Sequence, residues 1–312
     1  MRTLVLEEKL RSGQTVKHKA AIPTSWNECS LRQALALYTI IMSGEPNVNV
    51  KRIRILCFLG QISAADLENM KADQVHVHGP VDGEDAYLEE LEALCQQVAD
   101  PFFDITEKAD ARHYSIALNL TKCPYPFVTY EKKHGQRGDN RLYAAADGFG
   151  NMTIYELGTV FTMVENYLRS ADADLLHRLL ATVWREPKDP TPENRKSGYQ
   201  GDQRRPLQYE ESMVPRRAKH FAILPPQVKQ LMLFWLISCR AAIIREYPVI
   251  FDSQKTPDPE SKDYGWGGLI LQLAQGPAHV DDIARSRWGN VFLYLAMKED
   301  ERKLLELQNA RK

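Results

Sequence analysis

The chain has 312 residues, enough for one large domain or two of ordinary size. Its hydrophobic content of 44% and charged content of 26% are those of a soluble globular protein. The formal net charge of −1 excludes a global electrostatic pull towards nucleic acid or an anionic membrane.

Residues 3–22 read as a β-hairpin, with TLVLEEKL and TVKHKAAI either side of the turn signal Ser12-Gly13. The apolar run at the N-terminus is too short for a secretory h-region. Ser30 is placed to cap LRQALALYTIIM, where Leu31, Leu35, Tyr38 and Met42 fall at helical spacing, and Gly44 ends that helix. A second helix is expected over Val48–Leu59, and a third begins at the capping-box pair Ser63 and Asp66. The stretch 64–110 is acidic, with 13 Asp/Glu against two Lys. Its charges read as the solvated face of a helix over Asp85–Val98, with a basic partner as the alternative. HYSIALNL and PFVTYE, within 111–147, are strand-like. The turn-rich GQRGDN and ADGFGN follow, and a domain boundary is expected near Gly150.

The second half is helical. Thr153 and Glu156 form a capping box ahead of Leu157, Val160, Phe161, Val164 and Leu168. Asp172 or Asp174 caps the next helix, with Leu175, Leu176, Leu179, Leu180 and Val183 on its core face, and Pro187 stops it. From Arg185 to His220 runs a polar insertion with five prolines and two glycines. Structureless segments of that length inside a domain are usually functional or disordered. Pro225-Pro226 open a helix through Arg245. Its run LMLFWLISC is far short of the ~20 apolar residues a bilayer needs, so it reads as a buried core helix. Two further helices are expected, Trp266–Ala274 and Asp281–Met297, before a charged, helix-prone tail over Lys298–Lys312. The expected fold is α+β and predominantly α. Residues 1–150 form a hairpin, helices and a small sheet, and 151–312 form a helical domain with the extended loop 185–220.

Chemical motifs are sparse. His76 and His78 share one face of a strand, but no spacing rule links a third ligand, and surface histidines explain them. Gly148 and Gly150 precede a helix without a phosphate-loop signature and read as a turn, as does Arg137-Gly138-Asp139. No GxSxG, HExxH or SxxK occurs. The cysteines Cys29, Cys57, Cys95, Cys123 and Cys239 are odd in number and lack a CxxC pair. That argues against a disulfide framework or a zinc ribbon and fits a reducing compartment. No catalytic residue, cofactor or metal is expected. The candidate binding residues are the loop pairs Arg204–Arg205 and Arg216–Arg217, together with Trp266 between glycines. The insertion carries nine Lys/Arg and six Asp/Glu over 185–219. That near balance favours solvation or protein carboxylates over nucleic-acid phosphate, the acidic 64–110 segment included among the possible partners.

Several blocks recur in a fixed order: IPTSWNECSLRQALALY, LLHRLLATVWREP, GDQRRPL, CRAAIIREYPVIF and YGWGGLILQLAQG. Together they resemble a family of proteins encoded by phages and prophages of Bacteroidetes-type bacteria near tail genes. Trp184 stands where that family has tyrosine, and 64–150 lies outside the resemblance. The resemblance implies a non-enzymatic tail-assembly or tail-structural protein in the cytoplasm of the bacterial host, or incorporated in the virion. Its partners would be other tail proteins, such as the tape-measure or tube protein, or copies of itself, and no membrane. An enzyme with a dispersed site, around Gly148–Asn151 or His76 and His78, and a nucleic-acid-binding factor are the alternative readings.

Overall fold

The structure is a computed structural model that describes residues 1–9, 15–62, 75–78, 86–87, 91–108, 111–130, 140–187, 211–251, 265–275 and 277–310. The turn at Ser12-Gly13, the helix expected from Ser63, the turn at 137–139 and the pair Arg204–Arg205 lie outside the described residues. The architecture is α+β and predominantly α. It forms two compact units, Met1–Leu120 and Thr121–Lys312.

In the first unit, β1 (Arg2–Lys9) and β2 (Thr15–Ile22) pair antiparallel with Arg2 opposite Ile22. The other edge of β1 pairs with β3 (Val75–His78), and β3 with β4 (Ala86–Tyr87), giving the order β2-β1-β3-β4. Ala86 and Tyr87 are therefore strand, where a helix was expected, because they pair with β3, which itself pairs with the N-terminal strand β1. α1 (Leu31–Ile41) starts at a reciprocal cap: Gln33 N–H donates to Ser30 Oγ at 3.3 Å and Ser30 N–H donates to Gln33 Oε1 at 2.9 Å. The buried face of α1 is Ala34, Leu37, Tyr38 and Ile41, while Leu31 and Met42 are exposed. The period was expected, but the phase is turned by about one residue, or 100°, because LRQALALYTII offers apolar residues on two adjacent arcs.

α2 (Val48–Gly60) packs against α3 (Leu91–Ala99). Asn47 caps α2, and Gln61 closes it in the left-handed region at φ 56. β5 (Phe103–Lys108) and β6 (Ala111–Ile116) form a second hairpin. β5 is a strand within the acidic stretch, beyond the helix expected over Asp85–Val98, where the sequence reading placed no element. Trp26 meets Phe102 edge-on at 5.3 Å in the core.

The second unit begins earlier than the expected boundary near Gly150. Its short sheet, β7 (Phe127–Thr129) with β8 (Arg141–Tyr143), belongs with the helices. Three indoles explain why. Trp235 Nε1–H donates to the Thr121 carbonyl at 3.0 Å, Trp184 to Tyr125 at 2.8 Å and Trp288 to Phe149 at 2.8 Å. All three tryptophans are buried, so each N–H needs an acceptor. The 121–149 segment supplies those acceptors and is thereby stapled to the helical core.

The helices are α4 (Ile154–Ser170), α5 (Ala173–Val183), α6 (Val214–Ala222), α7 (Pro226–Glu246), α8 (Pro248–Phe251), α9 (Gly265–Leu273), α10 (Val280–Arg285) and α11 (Trp288–Ala310). The capping box at Thr153 and Glu156 is present, with both bonds at 3.2 Å. On α4 the buried positions run from Ile154 to Val164, and Leu168 is exposed, one turn past the end of the packed face. Asp172 caps α5 through the Asp174 N–H at 2.9 Å. α7 is long and apolar enough to cross a membrane by length and composition, and half of its apolar window is buried. Leu231 to Leu236, Ser238 and Cys239 all face the protein interior, which makes α7 the central helix of the unit.

Candidate interaction site

The long insertion closes on itself at its base. Arg185 pairs its backbone with Tyr143 in both directions, at 2.7 and 2.9 Å. Its guanidinium, 1% exposed, lies 2.6 Å from Glu156 Oε1, off the direction of a hydrogen bond but in ion-pair contact. The next residue, Glu186, accepts from Arg217 Nε at 2.5 Å. Arg217 is also 1% exposed. One turn on, His220 stacks on Tyr130 at 4.5 Å. Burial of the His220 ring pushes its pKa below the ordinary histidine value, against the pull of the Glu186 carboxylate, while Arg216 adds to the lowering. The two ends of the insertion are thus held together by buried charge, and α6 packs on α5.

This geometry corrects the expectation for Arg217. A desolvated guanidinium already paired to Glu186 is structural and does not present itself to a partner. The carboxylate of that pair, Glu186, belongs to the insertion itself. Arg216 is exposed on α6. Arg204 and Arg205 lie outside the described residues. In the first unit, Asp100 of the acidic segment takes two bonds from the buried Arg52, at 2.8 and 2.9 Å, and Arg52 also donates to Asn49.

Trp266 is likewise corrected from a free-standing anchor to a half-buried member of an aromatic cluster. It stacks on Phe292 at 6.1 Å and meets Phe161 edge-on at 5.6 Å, with Phe251 at 6.1 Å. It sits on Gly158 of α4, where a Cβ would lie 2.6 Å from the indole Cγ. A bare backbone on α4 is what lets the indole lie flat there. Gly158 carries no signal of this in a linear reading, because its partner is more than a hundred residues away.

The glycine turn has its donors satisfied internally. Gly148 adopts φ 60, its N–H donates to the Thr121 carbonyl at 2.9 Å, and Asp147 Oδ1 accepts from the Cys123 N–H at 2.8 Å. A bound phosphate would compete with those bonds. Among the described residues no group of three or more His, Cys, Asp or Glu could hold a metal ion. The side chains of His76 and His78 are outside that description. Burial raises the Cys29 thiol to about 12 and lifts the Cys239 thiol well above its ordinary value, which disfavours the nucleophilic thiolate at both. An open groove of about 840 Å³ in the first unit is lined by Lys51, Arg112 and His113 among others. Its cations are engaged: Lys51 Nζ donates to the Ile41 carbonyl at 2.6 Å, and Arg112 lies 3.4 Å from Glu107.

The most distinctive surface is on α11. Trp288, Val291 and Phe292 bury one face of its first turns. Leu293, Met297, Leu304 and Leu307 are each more than half exposed. With Asp300 they step along the helix by 4, 3, 4 and 3 residues. That is the heptad spacing of a helix-pairing seam. In the first turns it lies off the buried side, Leu293 and Met297 standing roughly 100–180° round the helix from Trp288 and Phe292. Some of the charged residues around it pair with one another: Lys298 with Glu301 at 2.8 Å, and Arg302 with Glu299 and Glu306 at 2.5 and 2.7 Å, while Lys303 is in none of these pairs. The signal was legible in the sequence and was obscured by the density of charge over 298–312.

No protein-family model, curated protein or solved structure matches the chain.

Proposed function

We propose that this is a non-enzymatic phage protein that assists tail assembly or forms part of the tail, working through protein–protein contacts in the bacterial cytoplasm. The observation that carries the contact-based reading is the exposed heptad seam of α11. Four large apolar side chains stand in water along one line of a helix that is packed through Trp288, Val291 and Phe292 in its first turns and exposed on all sides over 300–309. Exposed apolar surface arranged as a stripe, unlike scattered single residues, marks a place where another surface belongs. The ordered sequence blocks supply the tail setting. The experiment is co-expression with the tail-module proteins, tape-measure and tube proteins included, followed by affinity capture and by mass spectrometry of purified virions. The expected result is capture of at least one tail protein or presence in the particle. A chain that does neither overturns the tail reading.

A further inference from the structure

We propose that the outer edge of β6 accepts an extended, acidic segment of a partner protein as a third strand of the β5–β6 ladder. The site belongs to the first unit, and it depends on neither the α11 seam nor the tail setting. Ala117 N–H donates to the Phe102 carbonyl at 3.0 Å, one step beyond the pair Phe103–Ile116. Bonded and non-bonded pairs alternate along an antiparallel ladder. With Phe102–Ala117 bonded, Ile116, Tyr114 and Arg112 turn their N–H and C=O groups away from β5. Among the described residues, none pairs with those outward groups. Two strands alone make a marginal sheet, and a row of unused backbone donors and acceptors is a template for another strand.

The groove of about 840 Å³ runs along this edge. It touches Arg112, His113, Tyr114, Ser115 and Ile116 in succession. A hollow on one face of a strand touches alternate residues, because successive side chains point to opposite faces. Contact with five in a row puts the groove beside the edge, where a third strand would lie. The corner between α1 and α2 forms the other wall, through Pro46, Val48 and Met42, the last more than half exposed. Lys51 and Arg112 line the groove, and among the described residues no Asp or Glu does. The Ile41 carbonyl that accepts from Lys51 is neutral, so it leaves that charge uncancelled. Arg112 and Glu107 are both exposed, and such a pair contributes little in water. Glu45, in the corner, is turned to the Asn47 N–H at 2.9 Å. An entering segment thus meets backbone hydrogen-bonding groups, an apolar wall and positive charge. The matching chemistry is an extended chain in which apolar residues alternate with Asp or Glu. Two copies joined edge to edge would set the cations of one groove against those of the other, which like-charge repulsion disfavours.

The test uses the full chain and three peptides of about ten residues, long enough to span a strand of ordinary length. Valine alternates with glutamate in the first and with lysine in the second. The third is the first with two adjacent prolines at its centre, which remove a donor from each edge. Binding is read by fluorescence anisotropy, its position by hydrogen–deuterium exchange, and self-association by sedimentation. The glutamate peptide is expected to bind at least about tenfold tighter than either of the others, and to slow exchange over residues 111–117. Arg112→Glu should reverse the preference between glutamate and lysine. Met42→Glu, on the opposite wall and outside the ladder, should weaken the glutamate peptide by about tenfold while the melting temperature stays unchanged. The inference is overturned if the glutamate peptide does not bind, or if the lysine or proline peptide binds as well. It is equally overturned if exchange over 111–117 does not slow on binding, or if the chain self-associates through β6 and the glutamate peptide does not compete.

Discussion

Glu156 uses both of its carboxylate oxygens, Oε2 on the Thr153 N–H and Oε1 on the buried Arg185. One residue therefore starts α4 and neutralises the charge at the root of the insertion. Glu156→Gln keeps the cap but leaves Arg185 buried without a counter-charge, which should cost about 3–5 kcal/mol. Urea denaturation would check it, and a loss below about 1 kcal/mol would mean the pair behaves as an exposed one. Gly158→Ala drives a methyl into Trp266 and should destabilise by about 1–3 kcal/mol through overpacking, with a red-shifted tryptophan emission. Two histidines set a pH dependence. His177 is pushed below its ordinary value of 6.5 by burial and by Lys229, whose Nζ is 3.1 Å from Nε2, against the pull of Asp174 and Asp172. His220 is lowered by burial and by Arg216, against Glu186. The unfolded chain takes up these protons near 6.5, and the folded chain takes them up only at lower pH. Stability is therefore full above that value and falls as pH drops below it. The urea midpoint should decline between about pH 7.5 and about pH 5.5, and replacing both histidines with glutamine should flatten the slope.

At the scale of single elements, α1 and α11 make opposite points about apolar residues on helices. On α1 the packed face is Ala34, Leu37, Tyr38 and Ile41. Leu37→Ala should cost about 2–5 kcal/mol, whereas Leu31→Lys, on the exposed arc, should change stability by less than about 0.5 kcal/mol. Equal losses from the two would restore the phase that the sequence pattern predicts. On α11 the exposed leucines are not surplus core. Helical spacing alone does not separate a stripe that packs inward from one kept for a partner. That distinction depends on what lies opposite, which for α11 is solvent and for α1 is the rest of the first unit.

At the scale of the whole molecule, the division at Leu120–Thr121 carries a direct consequence. Residues 121–312 contain the carbonyl acceptors for Trp184, Trp235 and Trp288. Residues 151–312, the unit expected from composition, lack all three. Expressed alone, 121–312 should unfold cooperatively. The shorter piece should be markedly less stable, each orphaned indole N–H costing about 1–3 kcal/mol. Thermal unfolding followed by circular dichroism compares them, and equal midpoints would mean that the staples contribute nothing.

The sequence by itself determined what is local. The caps at Ser30 and Thr153, and Asp172 of the two aspartates offered for the next helix, depend on residues within four positions of one another and are where the pattern placed them, whereas that helix ends at Val183, ahead of Pro187, where Arg185 bridges to Tyr143. The apolar spacing of α11 is local too, although the sequence reading ended its helix at Met297 and took 298–312 as a charged tail. Tertiary structure decided everything set by distant partners. It buried Arg217 against Glu186, laid Trp266 on Gly158, made strand of Ala86 and Tyr87, turned the packed face of α1, and moved the unit boundary to the acceptors of three indoles. In each case the deciding energy is desolvation, and a residue's desolvation is set by whatever the folded chain brings against it, which its sequence neighbours do not specify.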